Sequence, residues 1–258
     1  VWDRQEQVLF CSRDRFGVKP LYWAHRDQQL LLASEPKQLH ALGFGRHANL
    51  AELSRFLFGG VAAATSDTFF SDIQSLPPGH SITASFQQPM RIDRWYEFPI
   101  CHPQVDEISN LLKDSVDLRL RSDVAVGSCL SGGLDSSAVV MLASDARNDL
   151  GADPLRCIHA RSSDPEVDES AYASLVADAA GGILNTLTPS SNQFWQNIHE
   201  ICRIQDEPFG SPSICMQYFV MQQARSSGCT VMLDGQGADE VFLGYSKYMV
   251  LALIHAWQ

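Results

Sequence analysis

The chain has 258 residues, enough for one large domain or two small ones. It is 45% hydrophobic and 19% charged with a formal net charge of −11 and no basic cluster, an ordinary globular composition that argues against binding along a nucleic-acid backbone. The seven cysteines contain no Cys-x-x-Cys pair, so neither a zinc site nor a redox pair is indicated.

The first residues, Val1-Trp2-Asp3, begin mid-pattern without a Met, as expected of a piece of a longer protein. Val8 to Cys11 reads as a strand, Arg13 to Pro20 as a charged turn, and Leu21 to Ala24 and Gln29 to Ser34 as returning strands. The basic residues of that turn are expected to be solvated. Leu50 to Phe58 has helical spacing, with Leu50, Leu53, Leu57 and Phe58 on one face. Residues 59 to 68 read as a loop, and Ile73 to His80 as a turn between short strands, with the lone His80 a turn residue. Glu97 to Pro103 holds two prolines and reads as a linker.

An amphipathic helix is expected over Val105 to Leu120, with Ile108, Leu111, Leu112, Val116 and Leu120 on one side. Asp123 to Cys129 reads as an apolar strand. It enters Leu130-Ser131-Gly132-Gly133-Leu134-Asp135-Ser136-Ser137, and Ala138 to Ala143 continues as a helix. A second strand, Leu155 to Ala160, follows the break at Asp153-Pro154. An acidic loop with Asp168 as N-cap then leads into a helix over Glu169 to Ala180, closed by Gly181-Gly182. Ile183 to Leu187 is a third strand, Asn192 to Gln205 and Met216 to Arg225 are helices, and Thr230 to Leu233 is a fourth strand entering Asp234-Gly235-Gln236-Gly237-Ala238-Asp239-Glu240. The last segment, Met249 to Trp257, is apolar but too short to span a bilayer, and the chain ends inside what reads as a helix. No membrane partner is expected, and a cytoplasmic location is.

Strands alternating with helices indicate an α/β fold, a parallel sheet with helices on both faces, whose ligands bind at the strands' carboxyl ends. Both Gly-rich loops lie at such ends and are expected to converge. In the first, Gly132 and Gly133 permit a tight turn and close backbone approach to a ligand. The helix's first amides lack intrahelical partners and sit at the positive end of its dipole, which suits an anion. Ser131, Ser136 and Ser137 add hydroxyls. The Asp135 carboxylate would repel phosphate unless it holds Mg²⁺, an ion that takes a few carboxylates together with phosphate oxygens. No Gly-Lys-Ser/Thr follows, so this is not a Walker loop.

The run Ser131-Gly132-Gly133-Leu134-Asp135-Ser136-Ser137 resembles the pyrophosphate loop of the ATP pyrophosphatases. With its flanks it resembles the synthetase domain of the glutamine-dependent asparagine synthetases. The N-terminal part resembles the end of that family's glutaminase domain, through Trp2-Asp3, Arg13-Asp14-Arg15-Phe16-Gly17-Val18-Lys19-Pro20-Leu21-Tyr22 and Ala33-Ser34-Glu35-Pro36-Lys37. Leu76-Pro77-Pro78-Gly79-His80 and Arg94-Trp95-Tyr96 are also similar to family segments.

The resemblance implies a Rossmann-like ATP pyrophosphatase fold behind a mostly antiparallel β remnant of an N-terminal nucleophile glutaminase. The expected boundaries are 1–97 for the remnant, 98–104 for the linker and 105–258 for the start of the synthetase domain. It implies ATP as substrate and Mg²⁺ as cofactor. Leu130, Ser131, Gly132, Gly133, Asp135, Ser136, Ser137, Ala160, Asp234 and Gly235 would bind ATP or its pyrophosphate, with Leu130, Ala160 and Gly235 lining the adenosine pocket, and Asp135 and Asp239 would hold the metal. Its small-molecule partners would be ATP, glutamine or ammonia, and a carboxylate acceptor such as aspartate, with a homodimer left open. The family's nucleophilic cysteine is N-terminal, so Cys11 is not that residue.

Asp234-Gly235-Gln236-Gly237-Ala238-Asp239-Glu240 departs from the family's usual Ser-Gly-x-Gly-x-Asp-Glu at Asp234, and Gln236 stands where a Glu is common. Gln cannot act as general base, so no catalytic residue is secure and the acceptor is open. Asp206-Glu207-Pro208 also resembles the family and is expected near the acceptor pocket. The implied function is an ATP- and glutamine-dependent amide-forming ligase. The alternatives are an acyl-adenylating ligase that uses an internal amine, as β-lactam synthetases do, and a non-catalytic nucleotide-binding remnant.

Overall fold

The structure, a computed structural model, describes residues 1–60, 65–99 and 104–257. It divides into two compact units, Val1–Cys101 with His199–Ser211, and His102–Ile198 with Pro212–Gln258. The expected linker centres on residues 100–103, which lie outside the described residues.

The first unit is built from antiparallel strands. Strands β1 (Trp2–Asp3), β2 (Val8–Ser12), β6 (His80–Ser85) and β7 (Arg91–Arg94) form one sheet in that order. A second sheet has the order β4 (Gln29–Ala33), β3 (Tyr22–Arg26), β5 (Gln74–Ser75). Helices α1 (Pro36–His40) and α2 (Leu50–Gly59) accompany them. Ala24, Ala33, Leu39, Phe44 and Ile73 make its apolar core.

One expectation is corrected here. The Arg13 guanidinium is not a free solvated charge: half-buried, it donates to the carbonyls of Lys19, Gly17 and Leu76 and to the Ser75 hydroxyl, from 2.6 to 3.1 Å. Helix α2 leaves Leu50, Leu57 and Phe58 exposed and instead buries Glu52, which is 2% exposed. That carboxylate is tolerated inside because Arg55 at 2.6 Å and the Thr65 hydroxyl at 3.1 Å satisfy it. Helical spacing tells which residues share a face; it does not tell which face packs.

The second unit starts with α3 (Val105–Arg119), β8 (Val126–Cys129), α4 (Leu134–Asp149), β9 (Arg156–Ala160), α5 (Ser170–Ala179) and β10 (Ile183–Leu187). Helix α6 (Ser191–Gln205) follows, its residues from His199 on grouping with the first unit. Then come α7 (Ser213–Ser226), β11 (Val231–Leu233), α8 (Ala238–Phe242) and α9 (Ser246–Trp257). On α3, Leu111 is exposed while Val116 reaches the core. Glu169, not Asp168, occupies the N-cap of α5; Asp168 instead accepts the Ser170 N–H at 3.3 Å. Among the described residues no helix is long and apolar enough to cross a membrane.

The sheet is parallel, in the order β10-β9-β8-β11. Its pleat divides β9 between two layers. Cys157 packs with Val116, Val140, Ala143, Ala173 and Ala177 from α3, α4 and α5. Ile158 packs with Val220 and Ala224 of α7 on the opposite face. From β8 the chain proceeds through α4 to β9 on one side, whereas β11 pairs on the other side with Val231 opposite Val126. The strand order therefore reverses between β8 and β11, and the loops leaving their carboxyl ends border a crevice there.

Candidate functional site

A cleft of about 780 Å³ opens at that reversal, within the second unit. Of the residues predicted to bind nucleotide, Leu130, Ser131, Gly133, Asp135, Ser136, Ala160, Asp234 and Gly235 line it, as do Gln236 and Asp239. Gly132 and Ser137 do not.

The first loop is shaped by its own polar groups. Gly132 has φ +99°, and a Cβ there would lie 2.8 Å from the Glu169 carbonyl, so the turn needs glycine. The Ser131 hydroxyl meets the Ser136 hydroxyl at 2.8 Å and accepts the Gly133 N–H at 3.1 Å. Ser137 donates its hydroxyl to the Gly133 carbonyl at 2.7 Å, which turns it away from the cleft. The first intrahelical bond of α4 runs from the Ser137 N–H to the Gly133 carbonyl at 3.1 Å. The Leu134, Asp135 and Ser136 amides precede it and stand at the helix's positive end.

The second loop meets the first. A Cβ on Gly235 would lie 2.9 Å from the Ser136 nitrogen and 3.2 Å from the Asp135 carbonyl carbon, so glycine is what lets the loops touch. Asp234 accepts the Gln236 N–H at 3.2 Å and the Gln217 side-chain amide at 3.2 Å, closing the loop on α7. Burial, with the Asp234 charge and a hydrogen bond to it, pushes the Cys129 thiol up to about 12, so this cysteine stays a thiol. Gln236 is exposed at the rim. Tyr245 donates to Glu240 at 3.2 Å, and that carboxylate raises the phenol above its ordinary value.

Among the described residues no group of three or more His, Cys, Asp or Glu is arranged to hold a metal by itself. Asp135, Glu169, Asp234 and Asp239 line the cleft; Asp234 already accepts from Gln217 and Gln236, and of the others Asp135 on α4 and Asp239 on α8 belong to the two Gly-rich loops. Two carboxylates beside free helix amides suit an ion that completes its shell with phosphate oxygens and water, as Mg²⁺ does.

Sequence reading missed His159. It lines the cleft, is 2% exposed, and contacts the Leu130 carbonyl through Nδ1 at 2.8 Å and the Ser170 hydroxyl through Nε2 at 3.0 Å. A signal was available: alternation along β9 places His159 on the same buried face as Cys157, where a polar ring needs partners. Gln217 and Met216 of α7, also in the wall, carried no comparable signal.

Asp206 and Glu207 do not line this cleft. They pack within the first unit, where Asp206 pairs with Lys37 at 3.0 Å and Glu207 accepts the Phe69 N–H at 2.8 Å. Burial, opposed by that hydrogen bond and assisted by the Asp206 and Glu52 charges, raises the Glu207 carboxyl. They resemble a family segment of the synthetase half, yet their partners lie among residues 1–96.

Compared with known families, residues 107–257 match asparagine synthase and residues 1–96 match the glutamine amidotransferase domain. Asparagine synthetase [glutamine-hydrolyzing] 1 of Bacillus subtilis is 28% identical over 96% of this chain and 39% of its own length. Asparagine synthetase [glutamine-hydrolyzing] 2 of the same organism is 31% identical over 100% of this chain and 37% of its own. Amidase chyE of Penicillium rubens is 26% identical over 100% and 41%. The chain thus spans about two fifths of the length of these relatives. A solved NH3-dependent NAD synthetase from Campylobacter jejuni aligns over 56% of this chain and 62% of its own, with TM-score 0.38 and 14% identity.

Proposed function

We propose that this chain, which belongs to the asparagine synthase family, carries the nucleotide site of a glutamine-dependent amide synthetase. In the reaction a carboxylate oxygen attacks the α-phosphorus of ATP and the bond to the β-phosphate breaks, releasing pyrophosphate. Ammonia from glutamine then attacks the acyl carbon, AMP leaves with the bonding pair, and the nitrogen loses a proton.

The observation that supports this reading is the contact of two Gly-rich loops at the ends of adjacent parallel strands, Gly235 against Asp135 and Ser136. The amides of Leu134 to Ser136 would hold the departing pyrophosphate. Ser131 and Gly133 would shape the loop around it. Leu130, Ala160 and Gly235 would flank the adenosine. Asp135 and Asp239 would hold Mg²⁺, which when bound supplies charge neutralisation on the pyrophosphate.

The test is pyrophosphate release by the complete protein with ATP, Mg²⁺ and a panel of carboxylic acids, with glutamine or ammonia as nitrogen source. Release that depends on an acceptor, with the amide formed only when glutamine or ammonia is supplied, is expected. Its absence with every acceptor would overturn the reading in favour of a nucleotide-binding remnant.

Gln236 favours a second reading of the acceptor. A neutral amide at the rim both donates and accepts hydrogen bonds where a carboxylate only accepts. We therefore expect an acceptor other than aspartate, or an internal amine in place of ammonia. Efficient asparagine formation by the wild type, little changed by Gln236→Glu, would remove this second reading. Turnover without any nitrogen source would favour the internal amine.

A further inference from the structure

We infer that His159 is a positioning residue that holds the nucleotide loop in its working shape. Leu130 is the last residue before the turn and is 1% exposed. Its N–H continues the β8–β9 ladder, donating to the Ile158 carbonyl at 2.9 Å. The paired register ends at Cys129 and Ile158. The Leu130 carbonyl accepts instead from a side chain, the Nδ1–H of His159 at 2.8 Å. Since a carbonyl can only accept, the proton on that ring nitrogen is assigned by its partner.

The other ring nitrogen reaches the far wall. Nε2 lies 3.0 Å from the hydroxyl of Ser170, the first residue of α5, and that hydroxyl lies 2.5 Å from Asp168, which also pairs with Arg161 at 3.1 Å. Glu169, between them, presses its carbonyl against Gly132 closely enough to exclude a Cβ. The imidazole therefore ties the start of the turn at Leu130 to the helix that braces the same turn at Gly132. Removing it would leave a buried carbonyl unpaired and free the peptide that aims the Ser131 to Gly133 backbone.

This inference rests on the proposed nucleotide reading for its catalytic consequence, but its structural half can be measured without nucleotide. The experiment compares the wild-type complete protein with His159→Leu, His159→Asn and Ser170→Ala. Asn places an N–H near the position of Nδ1, and Leu offers none. Amide hydrogen exchange over residues 130–137 is followed first in the free protein. His159→Leu should exchange roughly 10-fold faster there, Ser170→Ala a few-fold faster, and His159→Asn close to wild type.

In pyrophosphate release, His159→Leu should raise the KM for ATP roughly 10-fold with kcat changed about 2-fold or less, and His159→Asn should restore KM. Wild-type exchange in His159→Leu, or damage in His159→Asn equal to that in His159→Leu, would overturn the inference. Should His159→Leu fail to fold, unchanged exchange in Ser170→Ala would overturn it and faster exchange would support it. A wild type that neither releases pyrophosphate nor gains protection at 130–137 on adding ATP would defeat the nucleotide reading alone, while the comparison in free protein still decides the role of His159.

Discussion

The Arg13–Pro20 turn and the Leu130–Ser137 loop both leave a strand, both carry glycine and an aspartate, and both resemble signatures of one family. Their polar groups behave oppositely. Asp14 accepts the N–H groups of Phe16, Val18 and Lys19, at 3.1, 3.0 and 2.9 Å. Beside it, Arg13 is closed onto three carbonyls and a hydroxyl. In the Leu130–Ser137 loop the serines satisfy one another and the turn, whereas Leu134, Asp135 and Ser136 at the start of α4 line a cleft. The first arrangement is a brace, and the second opens on a cleft. The presence of a glycine and an aspartate in each does not separate them; the destination of each hydrogen bond does.

The sharpest way to break this comparison is at the cleft. Asp135→Asn or Asp239→Asn in the complete protein should lower pyrophosphate release about a thousandfold or more, since each would remove a metal ligand. Thermal unfolding should shift by no more than about 2 °C, because little packing is lost. Near-wild-type turnover at ordinary Mg²⁺ would end the metal assignment.

Arg13→Gln should do the reverse. It unpairs several carbonyls and should cost about 2 kcal/mol in denaturant unfolding, while turnover per folded molecule stays within about 2-fold. A catalytic defect without a stability loss would place Arg13 in a site rather than a brace.

The third measurement uses pH. The backbone amide of Lys19, with those of Val18, Phe16 and Gly17, holds the Asp14 carboxyl below its ordinary 3.8. A carboxyl lowered on folding contributes stability that is present above its unfolded value and is lost as pH falls through the folded one. The difference in melting temperature between wild type and Asp14→Asn should therefore be constant from neutrality to about pH 5 and shrink toward pH 3. A constant difference down to pH 3 would refute the charge-based brace.

The smallest effect belongs to Glu207, which burial raises above its ordinary 4.5. For a carboxyl raised on folding, the neutral form is favoured in the native state, so stability declines as pH rises through and above the unfolded value. Glu207→Gln keeps an acceptor for the Phe69 N–H and removes that decline. It should gain on the order of 1–3 °C at pH 7–8 and nothing at pH 4. Equal gains at both pH values would show that packing, not charge, is responsible.

Several elements were legible because their causes are local. Ile183–Leu187 is a strand over the predicted residues. The two glycine loops follow parallel strands, as alternation of strands and helices requires. Local causes did not reach the packed face of α2, where Glu52 takes Thr65 as partner; the surroundings of Arg13, whose acceptors include Leu76; or the placement of Glu207 against Phe69.

The sequence by itself determined the fold class, the order of strands along the chain, and which two turns carry glycines beside a carboxylate. Those follow from dihedral freedom, hydrophobic period and side-chain charge within a few residues. Only the tertiary structure decided that β11 pairs with β8 rather than with β10, so that Gly235 meets Asp135 and Ser136. It alone decided that Ser137 turns inward, that Glu207 groups with residues 1–96, and that His159 bridges Leu130 and Ser170. Each of these is a choice of hydrogen-bond partner among distant groups, and spacing along the chain carries no record of which distant group arrives.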